Sequence, residues 1–236
     1  MKDIHSRSEM LIGEENLRKL ANCRVAVFGV GGVGGYVVEA LARSGIGTID
    51  IIDDDAVIPS NINRQIIATH DTIGRNKVDV MEERIQAINP EIKVNKYKKF
   101  YLPENSGEID LTVYDYIADA IDTVSAKLDL VQKAAESGIP IISAMGCGNR
   151  LDPSRLQVTD IFKTSNDPLA KVMRSELRKR GVKHLKVVCS SELPFKPEVQ
   201  SDGRKRSIPA SMIFVPASAG LLMASQIVRD LISNEN

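Results

Sequence analysis

The stretch that decides the fold is Arg24-Val-Ala-Val-Phe28, which runs directly into Gly29-Val-Gly31-Gly32-Val-Gly34. A short apolar run ending in glycines reads as a buried strand. The residues that follow, 33–44, space alanine, leucine and valine as a helix does, and Gly45 and Gly47 stop that helix. Strand, glycine-rich turn and helix in this order make a phosphate-binding turn. The glycines let the backbone turn tightly and approach a phosphate, while the helix N-terminus offers unpaired N–H groups and a favourable dipole. Asp53, just after the next strand Thr48-Ile-Asp-Ile-Ile52, is placed to accept a hydrogen bond from a ribose hydroxyl.

Outward from this unit the alternation continues. A short amphipathic helix over 13–22 precedes it, with Leu17 and Leu20 on one face. Downstream, 71–89 reads as a helix with the stripe Val78, Met81, Ile85 and Ile88, ended by Pro90. Strands over 92–98, 114–121 and 139–143 and a helix over 125–137 follow. Such alternation implies right-handed crossovers and an α/β, Rossmann-like, mainly parallel sheet with helices on both faces. The second half differs in texture. Strands over 155–162 and 185–189 flank a charged helix at 168–180, and 191–208 is a polar loop. The apolar helix 214–232 carries Ala217, Ala219, Gly220 and Ala224, which suit packing under the sheet or at a dimer interface. No linker is visible. The expectation is a single domain over 1–236, with a nucleotide-binding half (1–150) and an elaborated substrate and dimer half (151–236).

Composition narrows the class. The chain has 236 residues, long enough for a sizeable core, with 43% apolar and 26% charged residues. Its 31 basic and 31 acidic side chains cancel, which argues against a uniformly basic nucleic-acid binder and against wholesale disorder. No apolar run approaches the roughly 18–20 residues of a membrane span, and the opening Met1-Lys-Asp-Ile-His5 is too polar for a secretory signal. Three scattered cysteines (Cys23, Cys147, Cys189) exclude a four-thiolate zinc site and point to a reducing, cytoplasmic compartment. The zero balance hides two opposed stretches. Residues 104–122 carry six acids and no base, whereas Lys171, Arg174, Arg178, Lys179, Arg180, Lys183 and Lys186 face a single acid, Glu176. That second stretch is either a solvated helix face or a surface for RNA phosphates, and Arg204-Lys-Arg206 follows it in the polar loop.

The glycine turn alone usually indicates NAD. Asp53-Asp-Asp55, Ser60-Asn-Ile-Asn-Arg-Gln65 and Gly74-Arg-Asn-Lys77 argue for a triphosphate instead. Backbone N–H groups largely satisfy a diphosphate, but cleaving a triphosphate calls for further cations and a metal-binding acid. Asn61, Arg64 and Lys77 bring an amide and two cations toward the phosphates, and Asp122 is a further carboxylate at the carboxyl edge of the sheet.

This ordered set resembles the adenylating domain of the ubiquitin-activating-enzyme superfamily, which includes the molybdopterin- and thiamine-pathway (MoeB and ThiF type) adenylyltransferases. Within it the chain looks most like the tRNA threonylcarbamoyladenosine dehydratases (the TcdA/CsdL family). The stretches that carry this are Ser6-Arg-Ser-Glu9, Met145-Gly-Cys-Gly-Asn-Arg-Leu-Asp152, Gln157-Val-Thr-Asp-Ile-Phe-Lys-Thr164 and Phe214-Val-Pro-Ala-Ser-Ala-Gly220. The resemblance implies ATP-dependent cyclisation of N6-threonylcarbamoyladenosine in tRNA through an acyl-adenylate. It also implies that Gly29, Gly31, Gly32, Gly34, Asp53, Asp55, Asn61, Arg64, Gln65 and Lys77 bind ATP, and that Asp122 positions Mg-ATP. By the same resemblance Arg64, Lys77, Asp122 and Arg7 would serve catalysis, Arg7 reaching the phosphates of a partner subunit in a homodimer. Ile4-His5 stands where the family usually has an Arg-aromatic pair, which leaves Arg7 as the finger candidate. A structural Na⁺ or K⁺ is left open, as are sulfur-transfer proteins as partners; no membrane partner is expected.

Three other readings compete. An adenylyltransferase for the C-terminal glycine of a small sulfur carrier is disfavoured by the lack of paired Cys-x-x-Cys motifs. An NAD-dependent oxidoreductase leaves Asn61, Arg64 and Lys77 idle, and a non-catalytic nucleotide-binding partner is the last. Cys147 reads as core packing. Cys189, in the apolar run Val187-Val-Cys189, reads as a buried inert thiol rather than an acyl carrier.

Overall fold

The computed structural model describes residues 4–195 and 209–233. Its elements in chain order are α1 (Ser6–Ile12), α2 (Glu14–Asn22), β1 (Arg24–Phe28), α3 (Gly34–Ser44), β2 (Thr48–Ile52), α4 (Lys77–Ile88) and β3 (Lys93–Tyr97). There follow β4 (Tyr116–Asp119), α5 (Val124–Ser137), β5 (Ile141–Ala144), β6 (Leu156–Asp160), α6 (Pro168–Lys179), β7 (Lys186–Ser190) and α7 (Phe214–Ile232). The seven strands form one sheet in the order β3-β2-β1-β4-β5-β7-β6. Every pairing is parallel except that of the edge strand β6, which runs antiparallel to β7.

Alternation along the central strands sorts residues to two faces. Val25 and Val27 of β1, Ile49 and Ile51 of β2 and Ala118 of β4 face one core, shared with α3, α4 and α7. Ala26, Phe28, Ile52 and Ile117 face the other, covered by α5 and the 98–114 segment. A third cluster lies between α5, α6 and β7. Asp50 falls among the apolar residues of β2 with no exposed surface. It is tolerated there because Arg24 (2.7 Å), Asn95 (2.7 Å) and the Tyr114 hydroxyl (3.1 Å) all donate to it.

The structure departs from the sequence expectations in four places. Helix α1 was not anticipated, since it is short and buries no residue. Helix α4 begins at Lys77 rather than at 71, because Gly74 takes a left-handed φ of 85° and Asn76 bridges to Ala56. Strand β4 stops at Asp119, and β6 stops at Asp160, whose carboxylate takes the Phe162 N–H and starts a short 3₁₀ turn. Of the 191–208 loop, residues 196–208 lie outside the described residues, Arg204-Lys-Arg206 among them. The small residues of α7 serve packing within the chain: a Cβ on Gly220 would stand 2.4 Å from the Val33 carbonyl oxygen, so α7 lies directly on α3. Among the described residues no helix is long and apolar enough to cross a membrane.

Candidate nucleotide site

The glycine turn divides into two kinds of glycine. Gly29 has φ 87°, and a Cβ on it would meet the Ala120 carbonyl oxygen at 2.7 Å. A Cβ on Gly34 would sit 1.7 Å from the Gly29 carbonyl oxygen. These two are required for the strand to turn into α3. By contrast, the nearest atom to a Cβ on Gly31 is Gln65 Nε2 at 3.8 Å, and for Gly32 it is Arg64 Cγ at 3.4 Å. Gly31 and Gly32 border open space.

That space is a cavity of about 770 Å³ at the carboxyl edge of the sheet. It is lined by Gly29, Gly31, Gly32, Asp53, Asp54, Asp55, Asn61, Arg64, Gln65, Lys77 and Asp122, with Lys99 and Phe100 at the β3 end and residues 144–148 at the β5 end. Of the residues expected at the nucleotide, Gly34 stands just behind the wall, inside α3.

Asp53 is held rigidly. One carboxylate oxygen takes the Val30 N–H at 2.7 Å, and the other takes the Asp55 N–H at 2.9 Å with Lys77 Nζ 3.6 Å away. Burial raises its pKa above the ordinary carboxylate value, outweighing the opposite pull of Lys77 and of the two backbone donors. Lys77, at the start of α4, is almost wholly buried and directed by Asp55 at 2.6 Å. Asp53, Asp54 and Asp55 bring carboxylate oxygens within 4.8 Å of one another, and Lys77 partly offsets that charge. Arg64 is tied to the Ser60 carbonyl oxygen (2.8 Å) and Asn63 Oδ1 (3.0 Å). Asn61 caps its own turn by accepting the Ile58 N–H. Gln65 is buried with its Oε1 lacking a partner among the described residues, the kind of orphaned group that a ligand satisfies.

At the end of β4 two carboxylates take different fates. Asp119, with no exposed surface, binds Lys127 Nζ (2.9 Å), the Ser143 hydroxyl (2.6 Å) and the Ile121 N–H (3.1 Å). Lys127 also donates to the Ile121 carbonyl (3.1 Å). Asp122 is exposed on the cavity wall, with the Thr123 hydroxyl 3.3 Å away. Of the two, Asp122 is the group available to a cation.

A second buried ion pair lies behind the β5 end. Arg150 and Asp167 are 3.4 Å apart, and Arg150 also donates to the carbonyls of Gly146, Asn166 (3.1 Å) and Glu192 (3.1 Å). Asp167 takes the Gly146 N–H (2.9 Å) and caps α6 through the Ala170 N–H (2.9 Å). Neither ion pair was singled out in the sequence. Asn149 and Asn166, which flank Arg150–Asp167 in left-handed conformations (φ 59° and 58°), are a signal visible only in the backbone.

The remaining expected residues lie apart from the cavity. Arg7 is exposed on α1, and the neighbouring His5 ring packs by Gly45 at the far end of α3 from the glycine turn. The basic stretch divides. Arg174 turns inward to the Thr164 carbonyl (3.0 Å), and Lys186 pairs with Asp230. Lys171, Arg178, Lys179, Arg180 and Lys183 remain exposed, Arg178 lying over the Phe162 ring at 5.2 Å. Cys189 is 1% exposed within the α5–α6–β7 cluster, with its thiol raised by burial and away from the cavity lining. Cys147 packs against the main core, as expected, yet also borders the cavity.

Fold and site together define a nucleotide-binding α/β protein of the adenylating kind. The ThiF family model matches residues 5–235, and the chain belongs to the ThiF family. It is 44% identical to the Bacillus subtilis tRNA threonylcarbamoyladenosine dehydratase, over 97% of this chain and 94% of that protein. It is similar to the Escherichia coli tRNA N6-threonylcarbamoyladenosine dehydratase TcdA solved with AMP, at 35% identity and a TM-score of 0.89, with 98% of this chain and 95% of that one covered. The ATP complex of the same enzyme gives 34% identity, a TM-score of 0.88 and the same coverage.

Proposed function

We propose that the chain is an ATP-dependent tRNA threonylcarbamoyladenosine dehydratase. It closes the N6-threonylcarbamoyl group of an adenosine in tRNA into a ring. The observation that carries this reading is one cavity enclosing a ribose-side acid (Asp53), phosphate-side cations (Lys77, Arg64) and an open strand-end carboxylate (Asp122). The likeness to dehydratases over almost the whole chain supports the substrate.

The substrate carboxylate is a poor electrophile. One of its oxygens attacks the α-phosphorus of ATP, the bond to the bridging oxygen breaks, and pyrophosphate leaves. The ureido group of the same substrate then attacks the acyl carbon, AMP departs, and the proton lost passes to solvent. No protein nucleophile is needed, because both partners of the second step belong to one molecule. Asp53 holds the ribose; the N–H groups of the turn, Lys77, Arg64 and the Asn61 and Gln65 amides hold the phosphates and offset charge on the leaving pyrophosphate. Asp122 suits Mg²⁺, which when bound to ATP neutralises phosphate charge.

Within one chain Arg7 stands at the wrong end of α3 to reach these phosphates, so it serves the site of a partner copy. The strongly exposed Met10 and Leu11 beside it on α1 fit that homodimer. The exposed basic residues Lys171, Arg178, Lys179, Arg180 and Lys183 hold tRNA phosphates, and binding through them weakens with salt.

The test is incubation with Mg-ATP and tRNA carrying the threonylcarbamoyl group, followed by nucleoside mass analysis. A loss of about 18 Da, one water, is expected; unchanged mass with ATP demonstrably bound would overturn the proposal. In the same assay Lys77→Ala and Arg64→Ala lower turnover by about a thousandfold, roughly 4 kcal/mol of barrier. Mixing an Arg7→Ala subunit with an Asp122→Ala subunit restores part of the activity; no rescue in a proven heterodimer would remove Arg7 from the site.

A further inference from the structure

Apart from Asp122, at the end of β4, the residues assigned to the nucleotide lie on one side of the cavity. Along the sheet edge the order β2-β1-β4-β5 sets Asp53, the glycine turn, Asp122 and the 145–148 turn side by side. With neighbouring strands about 4.8 Å apart, β5 stands about 14 Å from β2. A ribose on Asp53 leaves its α-phosphate over the β1 turn. The cations for the outer phosphates belong to the β1–β2 side: Lys77 is directed by Asp55, and Arg64 Cγ lies 3.4 Å from a Cβ placed on Gly32. The β4–β5 side therefore lies beyond the α-phosphate, opposite the leaving pyrophosphate, which is where in-line attack requires the acceptor.

Beyond Asp122, at the end of β4, the wall on that side is made of Ala144, Met145, Gly146, Cys147, Gly148 and Leu169, none of them charged. Both glycines there are demanded by packing. A Cβ on Gly146 would stand 3.2 Å from Arg150 Nη1 and 3.3 Å from the Asp167 carboxylate, and one on Gly148 would stand 2.6 Å from Pro209 Cβ. Cys147, between them, packs on the main core and borders the cavity, so it is the position in the turn whose side-chain size changes the shape of the wall. Its backbone is anchored on both sides: Gly146 by Asp167, and Asn149 by mutual hydrogen bonds with Ala210 (2.7 and 2.8 Å).

Resting on the function proposed above, we propose that the β4–β5 side is the acceptor subsite, receiving the threonyl carboxylate and its carbamoyl link. Cys147 sets its depth and forms no bond to the acyl group. Burial pushes the Cys147 thiol up to about 12, so at neutral pH it is a small uncharged group and a poor nucleophile.

The experiment compares wild type, Cys147→Ala and Cys147→Leu in two measurements: ATP affinity without tRNA, and the kcat/KM for threonylcarbamoyl-tRNA. Cys147→Ala is expected to keep turning over, with kcat/KM for tRNA lowered about threefold because the deeper wall holds the substrate less closely, and with ATP affinity within about twofold. Cys147→Leu is expected to lose more than tenfold in kcat/KM for tRNA while its ATP affinity stays within twofold. Preserved ATP affinity doubles as the proof that the variant is folded. Wild-type turnover by Cys147→Leu would overturn the subsite, and so would parallel loss of ATP affinity, because the wall would then belong to the nucleotide. Loss of turnover in Cys147→Ala would overturn the non-covalent role. Wild type that binds ATP yet leaves the tRNA unchanged would sink the function itself and the subsite with it, an outcome distinct from all of these.

Discussion

The two sides of the cavity are built in opposite ways. On the β1–β2 side, polar side chains enter the cavity themselves: Asp53, Lys77, Arg64 and Gln65 line it. On the β4–β5 side, Asp122 apart, the charges lie underneath. Asp119–Lys127 fixes both polar atoms of the Ile121 backbone, and Arg150–Asp167 fixes the N–H and carbonyl of Gly146, so the ion pairs shape the turns that line the cavity without lining it. A buried pair adds little to net stability but is costly to break, which makes it well suited to holding a turn in one conformation. The near side presents side chains to the cavity, and the far side, Asp122 apart, presents the shape of its backbone.

The sharpest way to break that division is at the glycines, where contact and shape meet. Gly34→Ala places a Cβ on the Gly29 carbonyl oxygen, a backbone atom that cannot yield without moving β1. The expected cost exceeds about 4–5 kcal/mol, enough to leave no cooperative unfolding transition in calorimetry. A soluble Gly34→Ala protein with a wild-type melting curve would show that this glycine serves the ligand instead.

The buried pair of the far side comes next. Lys127→Met keeps the length of the side chain but strands the Asp119 carboxylate in the core, and should cost about 3–5 kcal/mol in denaturant unfolding. Adding Asp119→Asn removes the stranded charge; the amide oxygen keeps the Ile121 N–H, and the amide NH2 at the other position donates to the Ser143 hydroxyl oxygen, so the double variant should recover most of the loss. If the single variant is as stable as wild type, the pair is not what holds the 120–122 turn.

The same division explains what the sequence made legible. The α/β alternation, the glycine turn and the near-side residues are carried by local spacing, and Asp53, Asn61, Arg64 and Lys77, grouped by that spacing, do line one cavity. Nothing local marks Asp119 as the partner of Lys127 in the first turn of α5, and Arg150 and Asp167 stand 17 residues apart in the chain. Their pairing follows from how helices settle on the sheet, which spacing does not encode. The basic stretch at 171–186 shows the reverse error: as sequence its seven cations look equivalent, yet Arg174 and Lys186 are committed to internal partners. Helix α1 escaped notice because it is seven residues long and only Ile12 packs against the core, so it leaves no apolar periodicity to read.

The smallest expected effect is also the most specific to the near side. Gly31 needs no left-handed backbone, and a Cβ there would find its nearest neighbour at 3.8 Å, an ordinary contact. Gly31→Ala should therefore change stability by no more than about 0.5 kcal/mol. It nevertheless puts a methyl group into the space proposed for the phosphate oxygens, beside the N–H groups of the turn, so ATP affinity measured by calorimetric titration should fall about tenfold, roughly 1.4 kcal/mol. Stability and affinity then separate at this glycine, whereas at Gly34 they are lost together. Unchanged ATP affinity in Gly31→Ala would mean that the phosphates lie away from the turn. In that case Lys77 and Arg64 would have to hold them unaided, and the near side would owe its recognition to charge alone.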